Sequence, residues 1–295
     1  MAGDGSSETG PGDSGPPPIV VYANTDVVLF EVDPSTLLEM RIGAFDCVGG
    51  TGQDPAVTDV AVDHDGVVWA ITAHELHQIT RLGGAAHCAT STALAGTAGA
   101  TFYGLSFAPA GTLDPSNEVL VAADTAGELW TIDATGALAQ HGTLGTVPAD
   151  DGQGHTYANA GKPWELSGDL VIVSNGGSPV GYATVRDCPN PPSATGCNPV
   201  DTLVGLDLTQ LGQAGTQVVV SSVIGQIVKA AGCSDSAHTG YGSLLGIATS
   251  GAGEVLGFSH LGYTVKISET DGSGCIGPTP TTIWGGAGTS SLAAQ

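Results

Sequence analysis

"VTDVAVDHDGVVWAITAHELHQIT" (residues 57–80) carries three short apolar runs separated by two turns. "VTDVAV" and "VVWAI" are rich in β-branched residues, and Asp-His-Asp-Gly between them is a tight-turn signal. "ELHQIT" follows after a second turn. The same unit recurs along the chain. Its middle strand returns as "PIVVYAN" (18–24), "NEVLVAAD" (117–124), "GDLVIVSN" (168–175) and "GEVLGFSH" (253–260). Its last strand returns as "VVLFEVD" (27–33), "ELWTID" (128–133), "TLVGLD" (202–207) and "YTVKIS" (263–268).

The strand that opens the unit recurs as "YGLSFAPAG" (103–111) and "SLLGIATSGAG" (243–253), and less clearly as "GKPWELSG" (161–168). Before the first pair there is only a linker, whereas the chain ends on an unpartnered "GTSSLAAQ" (288–295). A fourth, less regular strand follows, clearest in "LLEMRIGAF", "LAQHGTLG" and "TQVVVSSVI". Four antiparallel strands repeated around a ring make a β-propeller. Five blades are expected, with six as the alternative if 134–168 or 208–242 hides a degenerate blade. A C-terminal strand completing the N-terminal blade would leave no open edge. Residues 19–295 then form one domain, with an insertion at 176–200, a candidate lid or wall.

The composition agrees. The 295 residues include 46 Gly but only 6 Lys and Arg, and helix formers are scarce. A formal charge of −23 excludes a basic patch for nucleic acid and favours small cations as partners. No run is long enough to span a membrane. Residues 1–18 read as a Gly/Ser/Pro/acidic tether like those after the processed end of secreted proteins. A secreted, periplasmic or outer-surface lipoprotein is expected, with its signal already removed. A monomer is expected. The six cysteines lack C-x-x-C spacing and read as disulfides. Cys188 and Cys197 bracket a short loop; Cys233–Cys275 and Cys47–Cys88 are weaker pairings among fifteen connectivities.

Several middle strands end on a polar residue. Asn24, Thr72, Asp124, Asn175 and His260 would converge on the face where inter-blade loops emerge. Asn24, Asp59, Asp124, Asn175 and His260 are the candidate metal ligands, with Ca²⁺ favoured and Zn²⁺ or another ion as alternatives. The Gly-rich inter-blade loops add Asp54, Tyr103, Asp151, Tyr157, Asn159 and Tyr241 as ligand contacts. His155 and His238 are candidate general bases. The competing reading is that these side chains merely close loops. "GGTG", "GTAGA" and "GGAG" lack the following helix and Lys of a phosphate loop, so no nucleotide cofactor is expected. "HELH" (74–77) lacks H-E-x-x-H spacing.

"PAVTDVAVDHDGVVWAIT" (55–72), "YGLSFAPAG" and "EVLVAADTAGELWTID" (118–133) resemble blades of the NHL and gluconolactonase-like propellers. The resemblance covers about a third of the chain. It implies a channel metal, with Asp59 matching a polar strand start, and Tyr103 standing where the metal-binding families usually have Asn. Two functions follow as expectations. One is a secreted or surface-tethered propeller binding a small molecule, surface ligand, partner or divalent cation on its polar top face. The other is a metal-dependent hydrolase of lactones, esters or phosphotriesters at the same place.

Overall fold

The computed structural model describes residues 19–95, 101–175, 177–193, 195–213, 215–251, 253–278 and 282–292. The expected linker, residues 1–18, lies outside them. Blade 1 holds β1 (Val21–Asn24), β2 (Val28–Val32) and β3 (Glu39–Ala44). Blade 2 holds β4 (Asp59–Val62), β5 (Val68–Ile71), β6 (Glu75–Leu82) and β7 (Ala85–Ala93). Blade 3 holds β8 (Phe102–Ala108), β9 (Val119–Asp124), β10 (Glu128–Ile132) and β11 (Leu138–Thr143). Blade 4 holds β12 (Glu165–Asn175), β13 (Ser178–Arg186), β14 (Thr202–Leu206) and β15 (Val220–Gln226). A one-turn helix, α1 (Leu208–Leu211), interrupts it. Blade 5 holds β16 (Leu244–Thr249), β17 (Glu254–Ser259), β18 (Tyr263–Ser268) and β19 (Gly274–Ile276).

β20 (Gly286–Thr289) then pairs antiparallel with β1, giving blade 1 the order β20-β1-β2-β3. The five sheets are all four-stranded and antiparallel. β20, β4, β8, β12 and β16 are the innermost strands, and each packs on the next around the ring. The expected five-bladed propeller, closed by a C-terminal strand, is the observed fold.

Blade 4 departs from the expectation. "GKPWELSG" and "GDLVIVSN" are not two strands. β12 runs through both for 11 residues, with a register shift between Leu166 and Leu170. The expected insertion at 176–200 therefore contains β13, the second strand of the blade, and only the segment after Arg186 is a loop. "SPVGYATVR" hides its strand character behind Pro179 and Gly181, residues poor in strand propensity.

Seams between blades are filled with rings. Trp284 stands edge-on between Phe30 of blade 1 and Phe258 of blade 5, each 5.4 Å away. Trp164 meets Tyr157 at 5.2 Å. The innermost strands pack so closely that some positions exclude a side chain. A Cβ at Gly286 would overlap Asp59, and one at Gly168 would overlap the backbone of Leu245.

All three expected disulfides form: Cys47–Cys88, Cys188–Cys197 and Cys233–Cys275. The first ties the loop leaving blade 1 to β7 of blade 2. The second closes the loop after β13. The third ties the loop entering blade 5 to β19.

β20 is only four residues long, yet it brings blade 1 its channel-side strand. A chain truncated after Gly285 is expected to lose its single cooperative unfolding transition, as read by calorimetry. An undiminished transition would show that ring closure does not hold the fold.

Candidate functional site

The axis carries two carboxylates. Asp59 opens β4 and Asp169 lies within β12; both are fully buried. Asp59 Oδ1 accepts from the amides of Val60 (2.8 Å) and Ala287 (3.0 Å). Asp169 Oδ1 accepts from Leu170 (2.6 Å) and Leu105 (3.3 Å), and its Oδ2 accepts from Ile247 (2.6 Å). These amides come from all five innermost strands.

The two carboxyl groups lie close enough to shift each other electrostatically. Burial lifts both well above the usual carboxylate range, and the charge of Asp169 lifts Asp59 further. Two buried anions side by side repel each other, and sharing one proton removes that repulsion. We assign that proton to Asp59, whose Oδ2 has no donor partner, whereas three amides face the Asp169 carboxylate.

The polar strand ends are turn closures rather than an open rim. Thr72 Oγ1 donates to Asp54 Oδ2 (2.6 Å) and accepts from the amide of Glu75 (3.0 Å). Asp124 Oδ1 accepts from the amide of Glu128 (3.0 Å). Asn24 donates to the carbonyls of Thr25 and Val57. In blade 5 this role falls to Ser259, whose hydroxyl donates to Gly242 O and accepts from Leu261. His260, the next residue, is exposed and donates from Nδ1 to Trp284 O (3.0 Å). Asn175 does not belong to the set at all. It ends the innermost strand β12 and pairs with Ser178 in the hairpin at the opposite end of the ring.

The expected metal ligands are therefore not gathered. Asn24 and Asp59 flank Gly286, but Asp124, Asn175 and His260 belong to separate turns. Among the described residues, two groups bring three His, Cys, Asp or Glu ligand atoms within 4.8 Å of one another. They are Cys47, His77 and Cys88, and Glu165, Cys188 and Cys197. Each contains a disulfide, whose sulfurs offer no thiolate.

The inter-blade loops reach the same end of the ring as the β1–β2 turn, hereafter the top face. There Asp54 accepts from His74 Nδ1 (2.6 Å), Asp151 from His155 Nδ1 (2.7 Å) and Asp235 from His238 Nδ1 (2.8 Å). Each carboxylate orients its imidazole and leaves Nε2 for solvent. His155 and His238 thus have the geometry of oriented bases. The other expected contacts are less available. Tyr157 and Tyr241 are buried, and their hydroxyls bond Thr202 and Asp235. Tyr103 is half-buried on the blade 3–4 core. Asn159 is half-buried, and its amide donates to Asp187.

Burial opposes ionisation of Asp151. Hydrogen bonds from His155, Gln226 and Gln153 win and hold it down to about 2. Asp201 goes the other way, because burial pushes it up to about 6 despite bonds from Ser167 Oγ (2.5 Å) and the Leu244 amide (2.8 Å).

Sequence reasoning missed Asp169, Asp201 and the Glu165–Arg186 pair (2.6 Å). The signal for Asp169 was present: "DLVIV" repeats the "DVAV" that follows Thr58.

The top face also shows apolar side chains. Val27 is 43% exposed, Leu261 66% and Ile283 55%. Bonds from Trp284 N to Ser259 O and from Gly285 N to Asn24 O set Ile283 between the turns that carry the other two.

No protein-family model matches the chain, and no curated protein does. Solved structures resemble it at 10–12% identity. A structural-genomics protein of unknown function from Bacteroides thetaiotaomicron VPI-5482 matches with a TM-score of 0.41 over 85% of this chain and 55% of that one. The Dos1 propeller matches at 0.36 over 88% and 54%. Virginiamycin B lyase from Staphylococcus aureus matches at 0.37 over 88% and 66%. This chain thus spans 54–66% of the length of those proteins. The likeness is to β-propellers, and no gluconolactonase-like protein is among these three.

The shared proton predicts a pH dependence. A carboxyl raised in the folded state contributes stability that is complete below the ordinary aspartate value of about 3.9 and is lost as pH rises through its folded value. Asp59→Asn replaces the proton with an amide donor that does not titrate. It is expected to stay within about 1 kcal/mol of the parent at pH 5 and to lose less stability between pH 5 and 9. Asp169→Asn strips the anion from three amides and is expected to cost about 3–5 kcal/mol. Urea unfolding across that range checks both. Identical pH profiles for the parent and Asp59→Asn would contradict the assignment.

Proposed function

We propose that this chain is a binding propeller of an oxidising, extracytoplasmic compartment, and that its ligand or partner docks on the top face. The carrying observation is the exposed triad Val27, Leu261 and Ile283 next to His260. Apolar groups gathered at one end, with polar groups around them, are what an interface displays before it is covered. The oriented imidazoles of His74, His155 and His238 supply polar contacts on the same face. Three disulfides, with no free cysteine among the described residues, support the compartment.

The blades follow the NHL and gluconolactonase-like pattern in this reading, but the hydrolytic chemistry of that resemblance is not adopted. Asp59, the position that would carry over, is spent on two amides and a shared proton. The recognition work moves from the axis to the loops.

Leu261→Asp with Ile283→Asp places charge in the triad without touching the core. Retention of cell-envelope fractions on the immobilised protein is expected to fall at least tenfold in this variant, with the thermal midpoint unchanged. Equal retention would remove the face from consideration. Turnover of a lactone or phosphotriester that is lost in His155→Ala or His238→Ala would overturn the binding-only reading.

A further inference from the structure

At the other end of the ring, the seam between blades 2 and 3 is open. It opens into a cleft of about 580 Å³, within the range of small-molecule sites. Trp284 and Trp164 are fully buried in their seams. Here Trp69 of β5 and Phe107 of β8 remain only partly buried, edge-on at 6.0 Å. The indole is fixed, because Nε1 donates to Asp63 Oδ2 (3.0 Å). Leu76, Leu120 and Ile132 form the apolar floor.

The rim is acidic. Asp114 and Asp133 close turns through Oδ1 alone, which accepts from Ser116 and Asn117 in one case and from Thr135 and Ala137 in the other. Those bonds hold both carboxyls below their ordinary value. Glu118 adds a third carboxylate, facing His64 Nδ1 (2.9 Å) and the Ser291 hydroxyl. Among the described residues, no Lys, Arg or His lines the cleft.

A fixed aromatic wall, an apolar floor and an anionic rim are complementary to one kind of occupant. We propose that this cleft binds a small organic cation with a flat apolar body, such as an aromatic quaternary or primary amine. The ring would lie on the floor beside Trp69 and Phe107, with its charge toward Asp114 and Asp133. The site is separate from the top face and does not depend on the function proposed there.

Benzyltrimethylammonium is the probe, followed by calorimetry and by the Trp69 indole N–H resonance. Benzoate, tetramethylammonium and glucose are the controls. Saturable binding of the probe is expected, at least tenfold tighter than tetramethylammonium and with no response to benzoate. Trp69→Leu keeps apolar volume but loses the indole, and should weaken the probe at least fivefold. Gln78→Lys sets a cation in the cleft wall; it should abolish probe binding and admit benzoate. The proposal fails if benzoate binds the parent as well as the probe does, or if glucose alone binds. It also fails if probe binding leaves the Trp69 resonance unmoved or survives Gln78→Lys, or if no saturable binding is reached at millimolar probe.

Discussion

Two buried carboxyl groups side by side ought to repel each other, and the five-bladed ring is built around the way that repulsion is removed. Asp59 and Asp169 come from innermost strands of blades 2 and 4. One shared proton cancels one charge. Amides from β4, β8, β12, β16 and β20 surround what remains. An unpaired buried carboxylate would cost several kcal/mol. Here the neighbouring blades supply the compensation, so each blade must be in place before the pair is satisfied. That makes the axis a register mark for the whole ring.

The same crowding decides where function can sit. Inner strands approach so closely at Gly168 and Gly286 that no side chain fits between them. Polar residues at the strand ends are turned inward to close their own turns. The groups left for recognition are on loops: imidazoles aimed by carboxylates, and apolar tips such as Leu261. Disulfides restrain three of those loop regions, which cuts the entropy that binding would otherwise have to remove.

Much of this was legible in the sequence. Repetition of strand, Asp/Gly turn and strand exposed the blades, and the spare C-terminal strand exposed the closure. Spacing pointed to Cys188–Cys197 as a loop staple, while Cys233–Cys275 and Cys47–Cys88 were weaker pairings that sequence alone left open. Blade 4 was misread because β12 is unusually long and bulged, and because Pro179 and Gly181 made β13 look like a loop. That single slip put Asn175 on the wrong end of the molecule. The polar strand ends were legible as residues but not as roles. Whether Asn24 or Asp124 closes a turn or holds a ligand depends on amides several residues away. The Asp59–Asp169 contact joins residues more than a hundred positions apart, beyond what a local pattern can express. The cleft beside Trp69 was equally hidden, since a seam's filling depends on two blades at once.

The proton assigned to the Asp59–Asp169 pair can be read by ¹³C NMR of protein labelled at the aspartate carboxyl carbons. At pH 7 the account predicts one carboxyl resonance at the protonated position, which disappears in Asp59→Asn. If every aspartate is ionised at pH 7, or if the protonated resonance survives that substitution, the pair does not share a proton. The axis would then again be open to a bound cation, and the case for moving recognition to the loops would fail with it.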